Sequence, residues 1–356
     1  MKHQPDHIAP LFCEKVVFPR LEEMILLHLG KLKLIWRNQL RGNSFCKLKE
    51  VRVEFCENLV TIVPSNSAQG LLTFQNLETL TVGNCWNIKS LFPVSTATSL
   101  LQLKNLWLFS CGLEAIVAEQ EVDGTPKFFF PQLTRLKLDN LPELKHFYMG
   151  SYTAEWPMLK ELLVYFCKKI KVHAYDGESQ PALFSFEKVI PNLELLGLNP
   201  NNVTSLCLDR VPPRSFWKIK FLVLSSFDDD SIGFQFDLLQ KSHNLEKLGL
   251  CDCTFQEMLP HEGYARKQES QMETFLRNLQ TLRVFRCHRL TYLMSSSYIC
   301  FKNIKHLEVY CCNGLASVLG CSAAKTLVQI KTIKIIECEL LTKVMTTEFE
   351  IETTEE

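Results

Sequence analysis

FQNLETLTVGNCWNIKSL, running from Phe74 to Leu91, sets an aromatic residue three places before Leu77, further apolar residues at Leu80 and Val82, and a cysteine at Cys85. The same order returns in FCKLKEVRVEFCENLVTI (Phe45 to Ile62) and in FKNIKHLEVYCCNGLASV (Phe301 to Val318). Reduced to its constant positions the unit reads F-x-x-L-x-x-L-x-L-x-x-C-x-x-L-x-x-L. Aligned on its first leucine it occurs in twelve copies, beginning at Leu21, Leu48, Leu77, Leu103, Leu133, Leu159, Leu193, Ile219, Leu245, Leu279, Ile304 and Ile330, mostly 25 to 30 residues apart. The first, fourth and sixth positions are aliphatic or Met in every copy.

Positions four and six are two residues apart, so on an extended strand they share one face while the residues between them share the other. One such unit buries its apolar edge only against a neighbour. With each buried leucine contributing roughly 1.5 to 3 kcal/mol, a stack holds together where a single unit does not. The expected fold is α/β: a leucine-rich-repeat solenoid of about twelve repeats, curved as a horseshoe, with a parallel sheet on the concave side and irregular or short helical convex segments. The aromatics before the first leucine (Phe18, Phe45, Phe74, Phe130, Phe216, Phe301, with Leu100, Trp156, Ile190, Leu276 or Leu327 elsewhere) are expected to stack inside the convex side. Residues 1–17 read as a lead-in, 18–345 as the solenoid and 346–356 as an acidic, frayed tail.

The chain has 356 residues, 39 basic and 39 acidic, and a formal net charge of zero. That balance argues against electrostatic capture of nucleic acid or of an anionic membrane. No stretch is long and uncharged enough to span a bilayer, and the first eighteen residues lack the continuous apolar core of a secretory signal. Fifteen cysteines could suggest a disulfide scaffold, but eight of them (Cys56, Cys85, Cys111, Cys167, Cys253, Cys287, Cys312 and Cys338) fall at the ninth repeat position, with Asn201 there in its own unit. A compact side chain at that place turns the chain off the strand and hydrogen-bonds the turn. A column of thiols on successive turns is reduced and structural, which places the protein in a reducing, cytoplasmic compartment.

Catalytic and metal-binding patterns are lacking. Cys251 with Cys253, Cys311 with Cys312, and the nearby His288 and His306 do not have the paired spacing of a structural zinc site. No phosphate-binding loop, G-x-S-x-G or H-E-x-x-H is present. Asp228, Asp229 and Asp230 read as a solvated loop. No enzyme activity, cofactor or metal is expected. Three longer connections, Val117 to Phe129, Ala174 to Val189 and Leu259 to Thr274, read as surface loops.

Contact with a partner is expected on the concave sheet, at the third, fifth, seventh and eighth positions. There Trp107, Lys137 and Leu163 form one row across neighbouring units, and Phe109, Asp139 and Tyr165 the next. Further along, Arg283 and Phe285 lie beside Glu308 and Tyr310. Exposed aromatics with Arg are the composition of interface hot spots.

Three phrases, FQNLETLTVGNCWNIKSLFP, LTRLKLDNLPELKHFYMG and EWPMLKELLVYFCKKIKV, resemble the C-terminal leucine-rich region of plant intracellular nucleotide-binding immune receptors of the coiled-coil class. Leu-Pro-Glu-Leu at Leu141 to Leu144 and the Trp156-Pro157 pair sharpen the resemblance. It implies a protein-recognition module of disease resistance and innate immunity, whose partner is a pathogen effector, a guarded host protein or an upstream nucleotide-binding domain that the module holds inactive. The sequence given contains no nucleotide-binding domain, so the expectation is a fragment or truncated relative. The alternatives are the substrate-recognition arm of an F-box ubiquitin ligase and a free-standing protein-binding scaffold.

Overall fold

The computed structural model describes residues 9–12, 18–36, 44–63, 74–120, 124–170, 192–201, 216–231, 238–239, 241–256, 277–294, 302–319 and 327–345. Of the expectations above, those on Ile190, Leu276, Phe301, the two longer connections after 170 and the acidic tail lie outside these residues. The chain forms two compact units, Met1–Asn192 and Leu193–Glu356.

In the first unit the strands are β1 (Glu23–Leu27), β2 (Glu50–Glu54), β3 (Thr79–Gly83), β4 (Asn105–Phe109), β5 (Lys127–Phe129), β6 (Arg135–Asp139), β7 (Thr153–Glu155) and β8 (Glu161–Tyr165). β1, β2, β3, β4, β6 and β8 lie side by side, every pair parallel. β5 and β7 pair separately. The second unit holds β9 (Leu195–Leu198), β10 (Phe221–Ser225), β11 (Lys247–Cys251), β12 (Thr281–Phe285), β13 (Tyr292–Met294), β14 (His306–Tyr310), β15 (Ser317–Leu319), β16 (Thr332–Ile336) and β17 (Lys343–Met345). Here β9, β10, β11, β12, β14 and β16 form the main parallel sheet, and β13, β15 and β17 a small second one.

Each unit is thus a parallel β-solenoid, and every strand of its main sheet starts two residues after a predicted first leucine: Thr79 after Leu77, Thr281 after Leu279. The register is in phase, with Leu80 beside Leu106 and Val82 beside Leu108. The repeat columns therefore become buried ridges, with Leu77, Leu80, Val82, Leu103 and Leu108 fully enclosed, until the last turn, where Ile333 is 45% exposed. The aromatic spine is interior at Phe45, Phe74, Phe130, Trp156 and Phe216. Phe130 stacks on Trp156 at 4.5 Å, and Trp36 bridges Phe45 and Phe74 at 5.3 and 5.5 Å. Phe18 departs from the expectation: it touches Phe12 and Phe45 but stays half exposed.

Among the described residues the return segments are more extended than helical. Besides the small strands, isolated parallel bridges join Phe12 to Trp36, Leu34 to Thr61, Phe92 to Val117 and Ala115 to His146. Among the described residues a four-residue helix occurs at Val94–Ala97 and a 3-10 turn at Asp229–Ser231, and residues 200–201, 238–239 and 241 are also helical. The connection from Val117 to Phe129, read as a plain loop, ends in β5, because Phe128 is drawn inward onto Phe147 and Tyr148. Asp228, Asp229 and Asp230 are exposed, as read, and Asp229 accepts the Gln256 backbone N–H at 3.2 Å.

The corner after each strand is built alike. The eighth repeat position has positive φ at His28, Phe55, Asn84, Ser110, Asn140, Phe166, Ser226, Asp252, Arg286, Cys311 and Glu337, between 50° and 60°. At nine of these positions, all but Phe166 and Glu337, this left-handed step aims the backbone N–H at the carbonyl closing the next strand, as from Asn84 to Phe109 and from Ser110 to Asp139, both at 3.0 Å. It extends the ladder one residue beyond the sheet and so keeps a buried donor paired.

Candidate functional site

The fifth, seventh and eighth positions project from the open face of each main sheet. In the first unit, register places Trp107 beside Lys137 and Lys137 beside Leu163; one step on, Phe109 lies beside Asp139 and Asp139 beside Tyr165. All six predicted residues of this unit are therefore brought together. Trp107 and Phe109 meet at 5.0 Å, and the Lys137 ammonium lies 4.4 Å from the centre of the Trp107 ring. The Asp139 carboxylate stands 3.8 Å from the same ammonium. Trp107 remains 40% exposed while Phe109, Lys137, Leu163 and Tyr165 are half buried, so the patch is a wide apolar surface whose cation is held rather than loose.

The second unit gathers the remaining four. Arg283 pairs in register with Glu308, and Phe285 with Tyr310. Glu308 is not the exposed contact residue that the pattern implied: its side chain is only 9% exposed, sandwiched between Arg283 Nε at 2.7 Å and Lys334 Nζ at 3.2 Å. Burial opposes its ionisation, but Lys334 and Arg283 together outweigh that and hold the carboxyl below the ordinary carboxylate range. Phe285 is 39% exposed, with the Arg286 guanidinium 4.9 Å from its ring centre; Arg286 in turn pairs with Asp252 at 2.7 Å. A recess of about 350 Å3 opens beside this group, lined by Lys247, Thr281, Arg283, His306 and Glu308 among others.

The ninth-position thiols sit beneath these surfaces. Each donates to the carbonyl two residues before it: Cys85 to Gly83 at 3.2 Å, Cys111 to Phe109 at 3.2 Å, Cys167 to Tyr165 at 3.1 Å and Cys312 to Tyr310 at 3.3 Å. Every cysteine among the described residues is a free thiol. Burial raises the Cys56 thiol above its ordinary value and pushes Cys167 up to about 12, which keeps both protonated and poorly nucleophilic. Cys251 and Cys311 instead donate to the carboxylates of Asp252 and Glu337, at 3.0 and 3.1 Å. Among the described residues no three His, Cys, Asp or Glu side chains are placed to hold a metal ion.

One ladder was missed by the repeat pattern. The asparagine just before the first leucine donates its amide to a carbonyl of the preceding turn: Asn76 to Cys46 at 2.7 Å, Asn192 to Pro157 at 3.3 Å, Asn244 to Trp217 at 2.9 Å and Asn278 to His243 at 3.1 Å. The recurring Asn-Leu and Asn-Ile pairs were its legible signal.

Stacked parallel turns, a column of leucines and a cysteine at the strand exit define a leucine-rich-repeat protein, a class that works as a protein-binding scaffold. Residues 11–72, 65–112 and 191–339 match the family model of leucine-rich repeats from RPS2-like plant disease resistance proteins. The matches cover most of the chain, which belongs to that family. They leave residues 113–190, and with them Lys137, Asp139, Leu163 and Tyr165, unmatched. A comparison with curated proteins gave no match. Among the described residues no helix is long and apolar enough to cross a membrane.

Proposed function

We propose that the open sheet face recognises a protein partner, and that Trp107, Phe109, Leu163 and Tyr165, steadied by Lys137 and Asp139, form the principal contact in the first unit. The observation behind this reading is the clustering of Trp107, Phe109 and Lys137 on a sheet whose other face is packed: three side chains of large area whose rotamers are already restricted. Rigid aromatic anchors lose little entropy on binding, which is why they dominate interface energetics. Family membership supports a role in intracellular immune recognition in the cytoplasm, with a pathogen effector, a guarded host protein or a nucleotide-binding domain as the partner. A horseshoe curvature with this face concave fits such a role, because it lets several turns meet one partner.

The test is alanine replacement of Trp107, Phe109 and Tyr165, singly and together, followed by measurement of partner binding and immune output in plant cells. The expected result is loss of both in the triple variant while the folded chain accumulates normally. Unchanged binding and output would refute the assignment.

A further inference from the structure

In the second unit the sheet face carries an excess of fixed positive charge at one place. Three strands supply it: Lys247 on β11, Arg283 on β12 and Lys334 on β16, with His306 on β14 at the rim of the same recess. The carboxylate among them, Glu308, is buried and shared by Arg283 and Lys334, so two cations answer to a single anion. Glu246, also at the recess, is engaged by Lys220 at 3.3 Å. Among the described residues neither Lys247 nor His306 makes an ion pair.

Arg283 is placed to receive a ligand. Register sets it between Glu308 on one side and Gly249 on the other. Its Nε meets Glu308, which leaves its terminal amino groups for another acceptor, and half of its side chain is exposed. Gly249 puts no side chain beside the guanidinium, and the space a Cβ there would take is met by the Val223 methyls at 3.3 Å, so the strand next to Arg283 offers an apolar wall and no competing charge. A guanidinium presents paired donors in a fork that matches a carboxylate. Phe285, 39% exposed and on the same strand, offers an apolar surface two residues away.

We propose that this recess is the docking point for an acidic side chain of the protein partner, an aspartate or glutamate whose carboxylate is taken by Arg283 and Lys247, with a neighbouring apolar residue resting on Phe285. The inference rests on the reading that the open sheet face binds protein, and it names the partner's chemistry: an acidic segment with an apolar residue beside the acid. Glu308 acts as the positioning group that fixes the Arg283 guanidinium.

The probe is a short fluorescein-labelled peptide of glutamate, phenylalanine and glycine, compared by fluorescence anisotropy with the same peptide carrying lysine for glutamate and with one carrying phosphoserine for glutamate. The glutamate peptide is expected to bind saturably, to weaken as salt is raised, and to lose about tenfold in affinity in Lys247→Glu and in Arg283→Gln. Lys247→Glu removes no described ion pair, so it tests the site without disturbing Glu308; Lys49→Ala, on an ion pair with Glu22 in the first unit, is expected to leave binding unchanged. Equal binding of the lysine peptide, or affinity indifferent to Lys247→Glu and Arg283→Gln, would overturn the proposal, and binding of the phosphoserine peptide alone would overturn the carboxylate assignment. If the Trp107, Phe109 and Tyr165 variants abolish partner recognition while Lys247→Glu does not, the acidic-segment inference fails and the proposed function stands.

Discussion

The ring of Phe109 lies directly over the α-carbon of Gly83 on the neighbouring strand, occupying the space that any side chain at position 83 would need. This contact tilts Phe109 against Trp107 and so shapes the aromatic patch from below. Gly83 serves here through close approach, since its backbone is not among the positive-φ positions.

Gly83→Ala is expected to push the free end of the half-exposed Phe109 ring aside at little cost in stability, and to alter Trp107 fluorescence. Thermal unfolding and the emission spectrum of the variant check this. An unchanged spectrum would mean that Phe109 does not rest on Gly83 in solution.

The asparagine ladder is expected to carry measurable stability. Asn244→Ala removes the amide bond to the Trp217 carbonyl and should cost about 0.5–1.5 kcal/mol, read from the urea midpoint. Asn244→Asp is expected to be no better, because a carboxylate cannot donate to that carbonyl.

The buried thiols give stability a defined dependence on alkali. Cys167 is held protonated up to about 12, above its ordinary 9.0, and burial moves Cys56 in the same direction. A group whose folded value is raised contributes fully below its unfolded value and loses that contribution as pH climbs toward the folded one. Unfolding midpoints should therefore fall as pH rises from 9.0 toward 12, and Cys167→Ala should flatten part of that fall.

Positive φ at Phe166 is a position where a large side chain is disfavoured and asparagine is tolerated. Phe166→Asn is expected to raise stability by about 0.5–1 kcal/mol, seen as a higher melting temperature. A lower one would show that packing of the Phe166 ring outweighs its backbone strain.

The columns at Leu77, Leu80 and Val82 were legible because burial admits few residue types there, so the same chemistry recurs wherever the strand does. The left-handed corner was not legible: Phe55, Ser110, Arg286 and Cys311 share a backbone angle and no side-chain property, and that angle goes with the ladder bond to the next turn. The burial of Glu308 was hidden for a different reason, since its enclosure is made by Arg283 and Lys334, one strand away on either side. The rows Trp107–Lys137–Leu163 and Phe109–Asp139–Tyr165 followed from period alone, because in-phase parallel register converts equal repeat positions into neighbours.

The central claim is that the open sheet face, rather than the return side, meets the partner. A photo-crosslinking amino acid placed at Leu163, and separately at Trp86 on the segment leaving β3, tests it most directly in plant cells expressing the chain. The account predicts a discrete protein adduct from Leu163 that disappears in the Trp107, Phe109 and Tyr165 triple variant, and none from Trp86. An adduct from Trp86 with none from Leu163 would contradict it.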